Sequence, residues 1–181
     1  MKLGGYTFKR RYSLAQILVD IASAGAIVYI AFIIYACADD IERIKSLNRT
    51  DADMSVFDWR PLIIWIAAAI LIFCFSFFLI FRKKKLPKKL TINEHNAVKY
   101  CNIIDTCISC VRLVTLLTIS ELCYLHSAAI RMFDPGFPTQ LLLDVLIAAG
   151  IIIFTRMRLT AISDAEEERE EKDKKRTIIE D

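Results

Sequence analysis

The residues of this 181-residue chain that could do chemistry crowd into one stretch. Residues 103–126 read IIDTCISCVRLVTLLTISELCYLH, apolar enough for a bilayer. Yet they carry Asp105, Arg112 and Glu121, a Cys107-x-x-Cys110 pair and a terminal His126. A charge at bilayer depth costs at least ~2.5 kcal/mol on insertion scales, so each needs a partner or a route to water. Two more acids, Asp20 and Asp144, sit inside other apolar stretches.

At about 100° per helical residue, Asp105, Ser109, Arg112 and Cys123 share one face. Cys107, Cys110, Thr118 and Glu121 share roughly the opposite one, with Glu121 about 160° from Asp105. Neither stripe belongs against lipid. The third helix is therefore expected to be central in its bundle, or to be covered by a second subunit. A simple four-helix ring would leave one stripe in lipid, and Glu121 then points to an interface with another subunit.

Arg112 lies near the middle of its span, with Asp105 two turns away on the same face, ~10 Å along the axis. Asp20 lies at a similar depth, in a stripe of small and polar residues (Gln16, Asp20, Ser23, Ala24, Ala31) suited to close helix contact. Arg112 is expected to pair with Asp20, Asp105 or both. Asp144, nearer the depth of Glu121, is the less favoured partner. Two readings of this intramembrane charge network are open. It can be an ion-paired lock on helix register. Alternatively it can be an ion or proton route, with Asp20 and Asp105 at the inner end and Glu121 and Asp144 at the outer. Carboxylates buried at depth titrate higher and would serve such a route, but a mid-span arginine places a positive barrier in it.

The six cysteines raise a redox reading. Cys107-x-x-Cys110 has a thioredoxin-type spacing but lies inside a helix, without the βαβ context that spacing needs. A membrane thiol oxidoreductase would be expected to work from the outer side with loop cysteines, and the outer loops have none. Cys37 and Cys123 lie at similar depth and could form a disulfide; otherwise cysteine here is a small packing residue. The two histidines, His95 and His126, fall on opposite sides of the membrane, so neither a metal site nor a cofactor is expected.

These residues are positioned by four apolar blocks, about residues 14–38, 59–81, 101–127 and 139–157. A spanning helix needs ~20 mainly apolar residues. The expected fold is all-α: an integral membrane four-helix bundle over residues 1–160, followed by a charged cytoplasmic helical tail over 161–181. A signal peptide fits the first block poorly, because its apolar run is too long and holds Asp20 and Tyr29. Lys2, Lys9, Arg10 and Arg11 precede the first span. Arg82, Lys83, Lys84, Lys85, Lys88, Lys89 and Lys99 separate the second from the third, and Arg156 and Arg158 follow the fourth. The other side has fewer cations (Arg43, Lys45, Arg49, Arg131, with Arg60 at the edge), so both termini are expected in the cytoplasm. The default location is a bacterial inner (plasma) membrane.

The loops add local expectations. Asp58 can cap the second span, with Pro61 in its first turn. Thr91-x-x-Glu94 is a capping-box pattern that starts the third helix near residue 92. DDIERIKSL can continue the first span as helix, and Ser163-x-x-Glu166 starts the charged tail. The acidic loop at 39–58 reads as a solvated loop or a cation-collecting vestibule, and Asn48 heads a glycosylation sequon. Arg82, Lys83, Lys84, Lys85, Lys88 and Lys89 form a run that sets topology and contacts anionic lipid headgroups rather than nucleic acid. The chain is similar to small bacterial four-helix membrane proteins in span count alone, which implies no activity. The expected role is non-enzymatic: an accessory, regulatory or immunity-type subunit acting by helix packing, with itself as a homo-oligomer or with another membrane protein. The alternatives are a small oligomeric ion or proton-coupled transporter and, further off, a membrane thiol oxidoreductase.

Overall fold

The computed structural model describes residues 2–3, 6–7, 12–47, 58–82, 97–132 and 139–180. Apart from a two-residue antiparallel pairing of β1 (Lys2–Leu3) with β2 (Tyr6–Thr7), it is helical. The helices are α1 (Leu14–Leu47), α2 (Ile63–Phe81), α3 (Ala97–Ile130) and α4 (Thr139–Glu180). All four are long and apolar enough to cross a membrane.

Local chemistry explains where the helices begin. Ser13 Oγ accepts from the Gln16 N–H at 3.1 Å, and Gln16 Oε1 accepts from the Ser13 N–H at 3.4 Å. This reciprocal box satisfies two orphan donors at the start of α1. Asp58, expected as the cap, lies one residue ahead of the N-cap Trp59, and its carboxylate accepts from the Arg60 N–H at 3.0 Å as a local turn. A 3-10 turn (Arg60–Leu62), with Pro61 where an N–H is dispensable, then leads into α2. The Thr91 capping box, His95 and Lys83–Lys89 lie outside the described residues, and α3 is described from Ala97.

Two expectations about helix ends come out differently. The continuation of the first span holds, and α1 runs unbroken to Leu47. Ser163, however, starts nothing. It is 3% exposed inside a continuous α4, so span and tail are one 42-residue helix of ~63 Å. A capping box works only where the preceding backbone is not already helical, and here it is.

Side-chain contacts define an up-down-up-down bundle. Trp65, early in α2, meets His126, late in α3, whereas Ser76, late in α2, meets Arg112. Helix α3 touches all three other helices, and α4 packs on α3. The third helix is therefore central, one of the two arrangements that its polar stripes left open. Residues Asp105, Ser109, Arg112, Leu116, Ile119, Cys123 and Ser127 are buried. Their alternating steps of mostly four and three residues form a knobs-into-holes seam. The facing α1 stripe includes Ala26, Ile30, Ile33, Cys37 and Ile41 in the same core. Small residues let the backbones approach, which is what drives helix association where lipid supplies no hydrophobic contrast.

Outward faces are as apolar as the core. Leu14, Val28 and Tyr35 on α1, Ile64 and Leu71 on α2, and Val145, Leu146 and Met157 on α4 are each 66–77% exposed. In water such faces would drive aggregation; in a bilayer they are the surface that meets acyl chains.

Ser109 is fully buried, and its hydroxyl has no hydrogen-bond partner among the described residues. Ser109→Ala is expected to leave stability unchanged or raise it by up to about 1 kcal/mol. Ser109→Leu overfills the seam and should cost about 1–3 kcal/mol. Thermal unfolding in detergent, followed by circular dichroism, reads both.

Candidate functional site

The centre of the bundle is built around Arg112. Its side chain is 1% exposed and donates from all three guanidinium nitrogens. Nη2 pairs with the Asp20 carboxylate of α1. Nε donates to Ser23 Oγ at 3.3 Å and Nη1 to Ser76 Oγ at 3.2 Å. Both serines are prepared for this. Ser23 donates its own proton to the Val19 carbonyl and Ser76 donates to the Phe73 carbonyl, each at 2.7 Å. Their lone pairs are left to accept from the arginine. The rings of Phe73 and Phe77 lie 4.9 and 5.0 Å from the guanidinium carbon, adding cation–π contacts from α2.

One side chain of α3 therefore ties α1 and α2 together. Of the two favoured partners, Asp20 pairs with Arg112 from a neighbouring helix, which can present a carboxylate at the guanidinium's own level. Asp105, two turns away on the same helix as Arg112, is 1% exposed.

Asp144 belongs to a separate site between α3 and α4. It is 2% exposed; one carboxyl oxygen lies 3.0 Å from Thr118 Oγ1 and the other accepts from Gln140 Nε2 at 3.2 Å. The Thr118 hydroxyl also lies 3.0 Å from the Val114 carbonyl, so its single proton serves two acceptors. Glu121 is half-buried and makes no hydrogen bond or ion pair among the described residues. Of the five residues expected as one network, the structure joins Arg112 to Asp20 and places Asp144 with Thr118 and Gln140. Because α3 is central, the stripe holding Thr118 meets α4 within the chain, so the opposite face does not require a second subunit.

Two polar ties were not foreseen. Arg131, counted in the sequence only as a loop cation, donates from Nη1 to Asp40 at 2.9 Å and from Nη2 to Ser127 Oγ at 3.2 Å. Trp65 Nε1 donates to His126 Nδ1 at 3.0 Å, joining α2 to α3. The sequence signal for both was matching depth near the ends of adjacent spans. Cys37 and Cys123, expected as a disulfide or as packing, are free thiols buried in the core. Cys107 and Cys110 are free and half-buried. Among the described residues no group of three or more His, Cys, Asp or Glu could hold a metal ion. Arg82, the described member of the basic run, is exposed at the end of α2.

No protein-family model, curated protein or solved structure matches the chain. Four apolar helices around a buried ion pair define its class as a polytopic α-helical membrane protein.

Removing one partner of a buried ion pair strands the other charge. Arg112→Leu and Asp20→Leu are each expected to lose about 3 kcal/mol, while the double variant loses markedly less than the sum. A double-mutant cycle by denaturant titration in detergent measures the coupling. At the second site, Asp144→Asn should be neutral, because its amide donates to Thr118 while its oxygen still accepts from Gln140. Asp144→Leu should lose about 1 kcal/mol, the scale of an interhelical bond in membranes. Melting temperatures of the two variants give the comparison.

Proposed function

We propose that the chain is a non-enzymatic accessory or regulatory subunit, of the immunity type, that works by packing against another membrane protein. Both termini lie in the cytoplasm and the bundle sits in the inner (plasma) membrane, in keeping with the distribution of cations among the loops. One observation carries this reading. Beyond Ser163, helix α4 runs on to Glu180 for ~25 Å. Apart from half-buried Glu166, its described side chains there, including Asp164, Glu167, Glu168, Arg169, Glu171 and Lys172, are exposed. A helix that is polar all round suits the bridging of one body to another. A protruding arm of this kind suits a cytoplasmic contact. The internal satisfaction of Arg112 agrees with a structural rather than a conducting core.

One observation favours the alternative, a small oligomeric proton-coupled or ion transporter. Asp20, a quarter exposed at its side chain, borders an open groove of about 490 Å³ with Tyr12, Ile17, Ala24 and Phe77. Asp20 thus connects the buried cation to a groove that opens at the bundle surface.

The two readings separate experimentally. The full chain and its Glu167→Lys/Glu168→Lys/Glu171→Lys variant are cross-linked in native membranes and sized in mild detergent. A subunit is expected to run as a complex with a second membrane protein, and the charge-reversed arm should reduce that complex at least tenfold. If the wild-type chain runs alone after cross-linking, and purified chain in liposomes passes protons in a way that Asp20→Asn abolishes, the transporter reading replaces it.

A further inference from the structure

A second concavity lies on the far side of α3 from Arg112, between α3, α4 and the start of α1. Its volume is about 330 Å³, at the lower end of the range for small-molecule sites, about 300–1,000 Å³. Ile103, Cys107, Cys110, Ile151 and Phe154 form the walls. Thr106 and Thr155 also line it, but both hydroxyls are spent on carbonyls of their own helices, Asn102 at 2.8 Å and Ile151 at 2.7 Å. The interior is effectively apolar.

Its polar lining residues gather at one end. Ser13 at the start of α1, Asn102 near the start of α3 and Arg158 midway along α4, next to the Leu159 that meets Tyr100, lie at the same end of the bundle. Each has donor capacity to spare. The Ser13 hydroxyl accepts from the Gln16 N–H and keeps its own proton. The Asn102 side-chain amide and the Arg158 guanidinium make no hydrogen bond or ion pair among the described residues. Arg158 is exposed, and its contact is the Phe154 ring, 5.4 Å from the guanidinium carbon. Arg158 is also the single charged residue of the lining, which holds no carboxylate. From Asn102 to Cys110 the groove runs ~12 Å along α3.

We propose that this groove binds an anionic phospholipid. The phosphate is held by Arg158, Asn102 and Ser13, and one acyl chain lies between α3 and α4 against Cys107 and Cys110. The reading rests on membrane insertion and is independent of whether the chain has a protein partner. Charge complementarity selects the headgroup, because an oxygen-rich anion uses all three donor groups, whereas phosphatidylcholine brings its own compensating cation. The axial order of donors and apolar wall matches the order of head and chain in one leaflet.

The test uses the full chain in vesicles of phosphatidylcholine, with or without phosphatidylglycerol. Alkylation of each cysteine by an apolar maleimide is followed by peptide mass spectrometry, and bound lipid by native mass spectrometry. Phosphatidylglycerol should slow labelling of Cys107 and Cys110 severalfold and should appear as a retained adduct. Arg158→Gln, at an exposed position, should reduce retention about fivefold, the weight of one arginine at a membrane surface, and remove the protection. Arg156→Gln, exposed on the same helix outside the groove, should keep both. Thr106→Phe, which fills the groove, should lose the adduct with Arg158 intact. Equal protection in phosphatidylcholine alone, equal loss with Arg156→Gln, or an adduct unchanged by Arg158→Gln would each overturn the assignment.

Discussion

A guanidinium in the middle of a membrane bundle cannot shed its charge, so the protein must surround it. Everything near the centre follows from that requirement. Arg112 sits on the one helix that touches all the others, because a cation on a peripheral helix would face acyl chains. Its partners come from two different helices: a full charge from Asp20, hydroxyl lone pairs from Ser23 and Ser76, and the faces of Phe73 and Phe77. The small residues along the seam serve the same end, since the serines can reach the guanidinium only where the helix backbones lie close.

A different economy governs α4. Its polar contacts to α3 include the Asp144 cluster, and most of its surface is open. Near the other end of the span the Tyr100 hydroxyl lies 3.5 Å from the Leu159 carbonyl. Held at two points on a central neighbour, α4 can be long without being deeply packed. The same loose fit leaves the space lined by Phe154 and Thr155.

The span count and the approximate limits of each helix were legible in the sequence, because hydropathy over ~20 residues is a strong signal and bilayer thickness is a fixed ruler. The two polar stripes of α3 narrowed its position to two arrangements, central in the bundle or covered by a second subunit, and hydropathy alone does not choose between them. Asp20 was legible as a candidate partner. What the sequence left open was how closely Asp20 meets Arg112, which depends on the axial offset of α1 against α3 to within one turn. The ties at the helix ends were hidden too. Arg131 and His126 look like ordinary boundary residues until the neighbouring helix is in place. Ser163 misled because a capping pattern is local, whereas the helix running through it is supported by packing upstream.

Chain order gives the buried arginine a further consequence, one concerning biogenesis. Asp20, Ser23, Phe73, Ser76 and Phe77 all precede Arg112 in the sequence. A ribosome therefore delivers these groups before α3 itself emerges. Of the four segments α3 is the least apolar and is the one whose lateral release from a translocon is hardest on hydropathy alone. The α1–α2 hairpin, already in the bilayer, offers that segment a polar cleft. The first two helices thus act as a chaperone within the chain for the third.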